Sequence, residues 1–204
     1  MKLFSSPPSP YVRKVKITAA MKGVLERIEV VAADTNPPAN AALIEQNPLG
    51  KIPVLVLDDG TRLFDSRVIC EYLDNIGAAG TPRLFPEPGP DRWRTLTRAA
   101  LADGIADAGV LIVYEKRFRN EDHWNAGWMG RQQGKVDAGL DTFEANPPGW
   151  TGSPDYSHIA LACCLGHLDF RHEGRWRVNR PKLVAWLERF AAEVPAYAET
   201  MPHA

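Results

Sequence analysis

This sequence of 204 residues has few cysteines, no excess of basic residues and no long apolar run. The three cysteines are Cys70, Cys163 and Cys164, and no two of them have a C-x-x-C spacing. A sparse, odd set of cysteines argues against a disulfide framework or a zinc site and favours a reducing compartment. We therefore expect neither a structural disulfide nor a bound metal.

The charges are balanced, with 24 Lys and Arg against 25 Asp and Glu and a formal net charge of −1. Proteins that bind phosphate backbones usually carry a basic field, so no nucleic-acid partner is expected. No apolar run approaches the roughly 20 residues of a membrane span, and "MKLFSSPPSP" lacks the apolar core of a signal peptide. The expected location is cytoplasmic, without a membrane partner.

The composition is that of a soluble globular protein, with 45% hydrophobic and 24% charged residues and room for one large or two small domains. Strand-like and helical patterns alternate in its first part. The predicted elements are a strand at "KLF", a helix over 11–22, a strand over 25–32, a helical patch within 36–50, a hairpin around Asp58-Asp59-Gly60 and a helix over 65–76. Their order is β-α-β-α-β-β-α.

A proline-rich stretch at 78–91 interrupts this alternation, and from Trp93 onward helical stripes dominate while strand signals nearly vanish. The sequence thus predicts an α/β domain at 1–80, a linker at 81–91 and an all-helical domain at 92–204.

Three short motifs follow one another in the predicted α/β domain: "SPYVRKV" at 9–15, "NPLGKIPVL" at 47–55 and "DSRVICEYL" at 65–73. With the element order before an all-α half, they resemble the cytosolic glutathione S-transferase family. The resemblance implies a thioredoxin-like N-terminal domain that binds glutathione, and an all-α C-terminal domain that contributes a second-substrate pocket.

The resemblance makes a serine before the first helix the candidate catalytic residue. Only a few per cent of a thiol with a pKa of about 8.5 is ionised at pH 7, so such an enzyme must stabilise the thiolate. Ser9, just before Pro10, offers a hydroxyl and a helix N-terminus together, although a plain helix cap is the simpler interpretation. Ser6 is the second candidate and Ser5 the third. "SPYV" also resembles the Cys-Pro-Tyr-Cys of glutaredoxins, but a serine cannot form a mixed disulfide.

Five further residues are implied to bind glutathione. Pro53 is expected to be cis, with the Ile52 backbone pairing with the cysteinyl part, and Lys51 is expected near the glycyl carboxylate. Asp65 and Ser66 are expected to hold the γ-glutamyl ammonium and carboxylate, although both are also ordinary helix caps. The positive charges of Arg13, Lys14 and Lys16 either steer the anionic glutathione or form a solvated helix face.

The second-substrate pocket would be lined by Tyr11, Asp103, Asp107, Tyr114 and Phe118, although such aromatic residues are more often core or interface residues. The stretch "YSHIALACCLGHLDFR" resembles the buried helix of the family. Its usual capping box would here consist of Asp155 and His158, and we expect that His158 cannot reciprocate as a carboxylate would.

The implied function is a homodimeric glutathione transferase of the serine type, active in detoxification. It would activate the thiol of its co-substrate glutathione for attack on a small electrophilic substrate, without a tightly bound cofactor or metal. The alternatives are a glutathione-dependent isomerase or dehalogenase at the same site, and a non-catalytic binding or regulatory protein with the same fold. Ser9, Asp65 and Ser66 favour the enzyme.

Overall fold

The computed structural model describes residues 1–36 and 40–203, so part of the proline-rich connection at 36–50 lies outside the described residues. The chain divides into two compact units, residues 1–86 together with 194–204, and residues 87–193. The last segment of the chain thus belongs to the first unit, and the long helix of the second unit begins at Pro90.

The first unit contains a four-stranded sheet with the strand order β2-β1-β3-β4. Its elements are β1 (Lys2–Ser5), α1 (Pro10–Met21), β2 (Glu29–Ala32), α2 (Ala41–Gln46), β3 (Val54–Val56), β4 (Arg62–Leu63) and α3 (Ser66–Asn75). Strand β1 pairs in parallel with β2 and antiparallel with β3, and β3 and β4 form the hairpin expected around Asp58-Asp59-Gly60. The predicted order of strands and helices is confirmed.

The second strand is shorter than its sequence pattern predicts. Leu25–Arg27 form a 3₁₀ turn, and the strand begins at Glu29, which is the partner of Lys2. Because β1 itself begins at Lys2, residues before Glu29 have no strand residue to pair with, whatever their alternation of apolar and charged side chains.

The core of the first unit forms where apolar residues of the sheet and of α1 are buried. Leu3 and Leu55 are register partners in β1 and β3, and both are fully buried. On α1, the buried residues Val12, Val15 and Ala19 are three and four positions apart, so they lie on one stripe of the helix. Helix α1 packs against α3.

A buried ion pair joins the ends of these two helices. Lys22 Nζ lies 3.0 Å from Asp74 Oδ1, with side chains only 5% and 2% exposed. The same ammonium donates to the Pro82 carbonyl at 2.7 Å, and the carboxylate accepts from the amides of Leu84 and Phe85 at 2.9 and 3.0 Å. The pair therefore fixes the path of the chain after α3.

The second unit is helical, as expected. It comprises α4 (Pro90–Phe118), α5 (Ala126–Ala145), α6 (Tyr156–Arg171), α7 (Pro181–Glu193) and 3₁₀ turns at Glu121–His123 and Arg175–Arg177. Every residue of α6 from 156 to 168 is buried, and α4 packs against both α5 and α6. A further helix, α8 (Ala196–Glu199), belongs to the first unit. No helix in the described ranges is long and apolar enough to cross a membrane.

The expectation for the cap of α6 was wrong. His158 Nδ1 lies 3.0 Å from the amide nitrogen of Asp155 and accepts from it, so histidine closes the capping box. An imidazole nitrogen is an acceptor in the neutral ring, which the comparison with a carboxylate overlooked. Burial disfavours the ionised Asp155, but hydrogen bonds from the amide and hydroxyl of Ser157, the hydroxyl of Thr95 and the amide of His158 favour it, and the pKa of Asp155 lies below the usual range. This helix start is therefore fully capped.

Candidate functional site

The strand registers bring three predicted segments to one end of the sheet. Phe4 is paired with Val54, so continuing the antiparallel register places Ser5 beside Pro53. Leu55 is paired with Leu63, so Pro53 and Asp65 each lie two residues beyond this pair, at the same end of the hairpin. The loop after β1, the residues before β3 and the residues after β4 therefore lie side by side.

Ser9 occupies the N-cap of α1. Its Oγ accepts from the Val12 amide at 3.3 Å, and its carbonyl accepts from the Arg13 amide at 3.1 Å. Its own amide donates to the Ser6 carbonyl at 3.1 Å, which closes a turn between the two serines. The cap predicted from the sequence is present, and it uses the oxygen of Ser9 as an acceptor and leaves the hydroxyl hydrogen available.

The other two candidate serines lie outside the helix. Ser5 is the last residue of β1 and is buried, whereas Ser6 follows the strand and is half-buried. Helix amides therefore adjoin Ser9 rather than Ser5 or Ser6.

The segment before β3 has the backbone that the resemblance implies, because the Ile52–Pro53 peptide bond is cis. Pro53 is buried and Ile52 half-buried. Lys51 is exposed, and its carbonyl accepts from Asn47 Nδ2 at 2.9 Å. The side chain of Lys51 thus extends from a backbone held by Asn47.

Asp65 and Ser66 form the start of α3. Asp65 is the N-cap and accepts from the Arg67 amide at 2.9 Å, so the simpler interpretation of this pair as a cap is correct for Asp65. Ser66, the first helical residue, is buried, whereas Asp65 is exposed. An exposed carboxylate and a helix N-terminus consequently lie together at the end of the sheet where Pro53 precedes β3.

Two family models match the chain. The glutathione S-transferase N-terminal domain covers residues 8–76, and the glutathione S-transferase C-terminal domain covers residues 126–189. The chain belongs to the glutathione S-transferase family.

Two relatives match this chain over its full length, and a third matches only part of it. The uncharacterized GST-like protein YibF of Escherichia coli (strain K12) is 36% identical over 208 residues, with 99% of this chain and 98% of YibF covered. A glutathione transferase family member from Pseudomonas fluorescens Pf-5, solved with bound glutathione, is 41% identical with a TM-score of 0.91 and covers 100% and 99% of the two chains. The stringent starvation protein A homolog of Coxiella burnetii is 45% identical over 88 residues, 43% of this chain and 36% of that protein.

The residues that the resemblance assigns to a second-substrate pocket differ in their surroundings. Tyr11 on α1 is half-buried, and Lys14 Nζ lies 5.6 Å from the centroid of its ring. On α4, Asp107, Tyr114 and Phe118 are exposed, and the two aromatic rings lie 5.2 Å apart.

Asp103 does not share their exposure, because it is buried on α4 with only 2% of its surface accessible. Asp103 and Asp107, which were both expected to line the pocket, therefore differ in burial: the 40° offset between positions four apart is enough to move one of them into the core.

The first-helix cations do not form the solvated helix face that was one of the two interpretations of their charges. Arg13 and Lys14 are buried, and Lys16 is half-buried with a pKa lowered by burial. The guanidinium of Arg13 lies over the ring of Tyr197, at 3.9 Å from its centroid. No local pattern in the sequence indicates this contact, because the two residues are far apart in the chain.

Within the described residues, no group of three His, Cys, Asp or Glu side chains is arranged to hold a metal ion. Cys70, Cys163 and Cys164 are buried, and none of the three forms a disulfide.

Proposed function

We propose that the first unit binds glutathione and that the protein is a glutathione transferase in which Ser9 stabilises the thiolate. The observation that supports this proposal is the order of the sheet: the loop to Ser9 follows β1, cis-Pro53 precedes the neighbouring β3, and the Asp65-Ser66 helix start follows β4, all at the same end of the paired strands. The relative from Pseudomonas fluorescens solved with bound glutathione covers the whole chain, which supports the same ligand here.

The activation step follows from the geometry of Ser9. Its oxygen accepts from the Val12 amide, so its hydrogen can donate to a sulfur atom placed before the helix. The hydroxyl and the partial positive charge of the helix N-terminus each stabilise the thiolate by on the order of 1 kcal/mol. Together, about 2 kcal/mol would lower a thiol pKa from about 8.5 to about 7. About half of the bound glutathione would then be thiolate at neutral pH.

The rest of glutathione would be held along the same end of the sheet. The exposed carboxylate of Asp65 would accept from the γ-glutamyl ammonium, and Ser66 with the α3 amides would bind its carboxylate. The backbone of Ile52 would pair with the cysteinyl part, and Lys51 would approach the glycyl carboxylate. Each charge of the tripeptide then meets an opposite charge or a helix terminus.

In the conjugation step, the thiolate attacks an electrophilic carbon and a carbon–sulfur bond forms. Either a leaving group departs with the electron pair of its bond, or a conjugated double bond takes up the pair and then a proton. The residues proposed to line the second-substrate pocket are Tyr11, Asp107, Tyr114 and Phe118, whereas the buried Asp103 is left out of this set. An isomerase or dehalogenase would use the same thiolate with another substrate.

The proposal includes a homodimer, as in the family. It also includes a cytoplasmic location, which suits three cysteines that form no disulfide. Detoxification is the physiological role that conjugation implies.

A non-catalytic regulatory protein is the second candidate. The observation in its favour is the 45% identity over 88 residues with a protein named for stringent starvation. Full-length coverage by the Pseudomonas fluorescens relative solved with glutathione favours the transferase.

The test is a pH titration of thiolate absorbance with glutathione bound to the wild type, to Ser9→Ala and to the matched control Ser6→Ala. We expect a thiol pKa near 7 in the wild type and in Ser6→Ala, and a pKa about 0.7 higher in Ser9→Ala, because this substitution removes the hydroxyl but leaves the helix terminus. A shift caused by Ser6→Ala alone would assign the role to Ser6. If neither substitution changes a lowered pKa, the serine mechanism is wrong.

A further inference from the structure

Arg13 belongs to the turn that carries Ser9. It lies in the first turn of α1, four residues after Ser9, and its amide donates to the Ser9 carbonyl at 3.1 Å. The Ser9 side chain is held only weakly by its own helix, since its Oγ lies 3.3 Å from the Val12 nitrogen, at the long end of the usual range. The position of the hydroxyl therefore depends on what else holds this turn.

The side chain of Arg13 is held by residues 196–203, which we call the C-terminal strap. Its Nη2 donates to the Tyr197 carbonyl at 2.6 Å and lies 3.2 Å from Met201 Sδ, and its Nε donates to Thr200 Oγ1 at 3.4 Å. The guanidinium also stacks on the Tyr197 ring, 3.9 Å from the centroid. All these contacts come from one short segment, 184 or more positions along the chain.

The C-terminal strap in turn depends on Arg13. Helix α8 has four residues, far fewer than the roughly 12 to 15 that an isolated helix needs. Thr200 Oγ1 accepts from Arg13 and donates to the Ala196 carbonyl at 2.6 Å, so the guanidinium bonds directly to the side chain that closes this helix. The strap and the first turn of α1 are therefore ordered together.

The contacts between Arg13 and the C-terminal strap, which we call the clamp, also have an unfavourable contribution to stability. Arg13 is only 3% exposed, and its Nη1 is buried without a hydrogen-bond partner among the described residues. A buried donor that lacks a partner is unfavourable. A role in fixing the orientation of the first turn of α1, which follows Ser9, accounts for such an arrangement better than a role in fold stability does.

We propose that Arg13 is a positioning residue, through which the C-terminal strap holds Ser9 and the first amides of α1 in the geometry that stabilises the thiolate. The inference rests on the proposed function. Loss of the clamp should loosen the first turn of α1 and remove its electrostatic contribution to the bound sulfur. A contribution of the size typical for a helix terminus corresponds to a decrease of about two- to fivefold in the ratio of thiolate to thiol near neutral pH.

The test uses the full chain and measures the thiol pKa of bound glutathione, the glutathione affinity and the stability of each variant. Arg13→Gln removes the clamp, Tyr197→Leu removes the stacking ring, and Tyr197→Phe retains it. Arg189→Gln is a matched control in the second unit, because Arg189 also stacks on a ring, 3.8 Å from the centroid of Trp150, and donates to the Trp150 carbonyl at 3.1 Å.

We expect Arg13→Gln and Tyr197→Leu to raise the bound thiol pKa, while Tyr197→Phe and Arg189→Gln leave it unchanged. If Arg13→Gln does not fold, the two Tyr197 variants decide. If the wild type and the clamp variants lower the thiol pKa of bound glutathione equally, the inference is wrong but the proposed function stands. The inference would also be wrong if Arg189→Gln raised the pKa as much as Arg13→Gln. Failure of the wild type to bind glutathione would instead refute the proposed function.

Discussion

His167 on α6 is a buried histidine whose ring lacks a hydrogen bond to any described residue. The residue is 5% exposed, and neither ring nitrogen has a hydrogen-bond partner in the described part of the chain. Burial lowers the pKa of His167 to about 3, and the neighbouring His172 and Arg171 act in the same direction. The ring is therefore neutral in the folded protein at pH 5 as well as at pH 7. We predict that His167→Leu stabilises the protein, and more so at the lower pH.

The size of the effect follows from the two pKa values. In the unfolded chain a histidine has a pKa of about 6.5, so between pH 6.5 and about 3 the unfolded state binds the additional proton. Stability must therefore fall as the pH falls through this window, and for His167 the loss between pH 7 and pH 5 is about 2 kcal/mol. Leucine has a similar volume and no titrating group, so the variant escapes this loss. At pH 7 it also removes two unsatisfied polar atoms, whose burial costs about 1–3 kcal/mol.

The assay is urea denaturation of the wild type and His167→Leu at pH 7 and pH 5. The control His123→Leu replaces a histidine whose side chain is 70% exposed. We expect the stability difference between His167→Leu and the wild type to grow by about 2 kcal/mol at pH 5, and that of the control to stay nearly constant. An equal difference for His167→Leu at both pH values would refute the reasoning.

Two further substitutions test buried polar groups of the first unit. Asp74→Ala should destabilise the protein by about 3–5 kcal/mol in chemical denaturation, because it leaves the Lys22 ammonium buried without its carboxylate; a loss below about 1 kcal/mol would contradict this. Thr18→Val should be neutral or stabilising in the same assay, since the buried Thr18 hydroxyl has no hydrogen-bond partner among the described residues and valine has the same shape; a marked loss would mean that the hydroxyl is satisfied.

The order of strands and helices could be predicted because it is encoded locally. The alternation around β3, the Asp58-Asp59-Gly60 turn and the stripe of α1 each lie within a dozen residues, and each formed where the pattern indicated. The error at Leu25–Arg27 has a non-local cause, since the pattern could not show that β1 offers these residues no partner.

In the candidate site, too, the features encoded locally could be predicted and the long-range contacts could not. Ser9 and Asp65 could be placed at helix starts because capping residues are recognisable in the sequence, and both are N-caps. The burial of Arg13 could not be predicted, since it depends on Tyr197 at the other end of the chain. Likewise, the cap at His158 depends on the orientation of one imidazole ring. Residue type and spacing do not define either contact.

Glutathione binding is the central claim, and a calorimetric titration of the wild-type protein with glutathione tests it most directly. The account predicts saturable binding at one site per chain, with a clear loss of affinity in Asp65→Ala, whose carboxylate is exposed at the end of the sheet where Pro53 precedes β3. No heat of binding at millimolar glutathione, from protein shown to be folded, would contradict it.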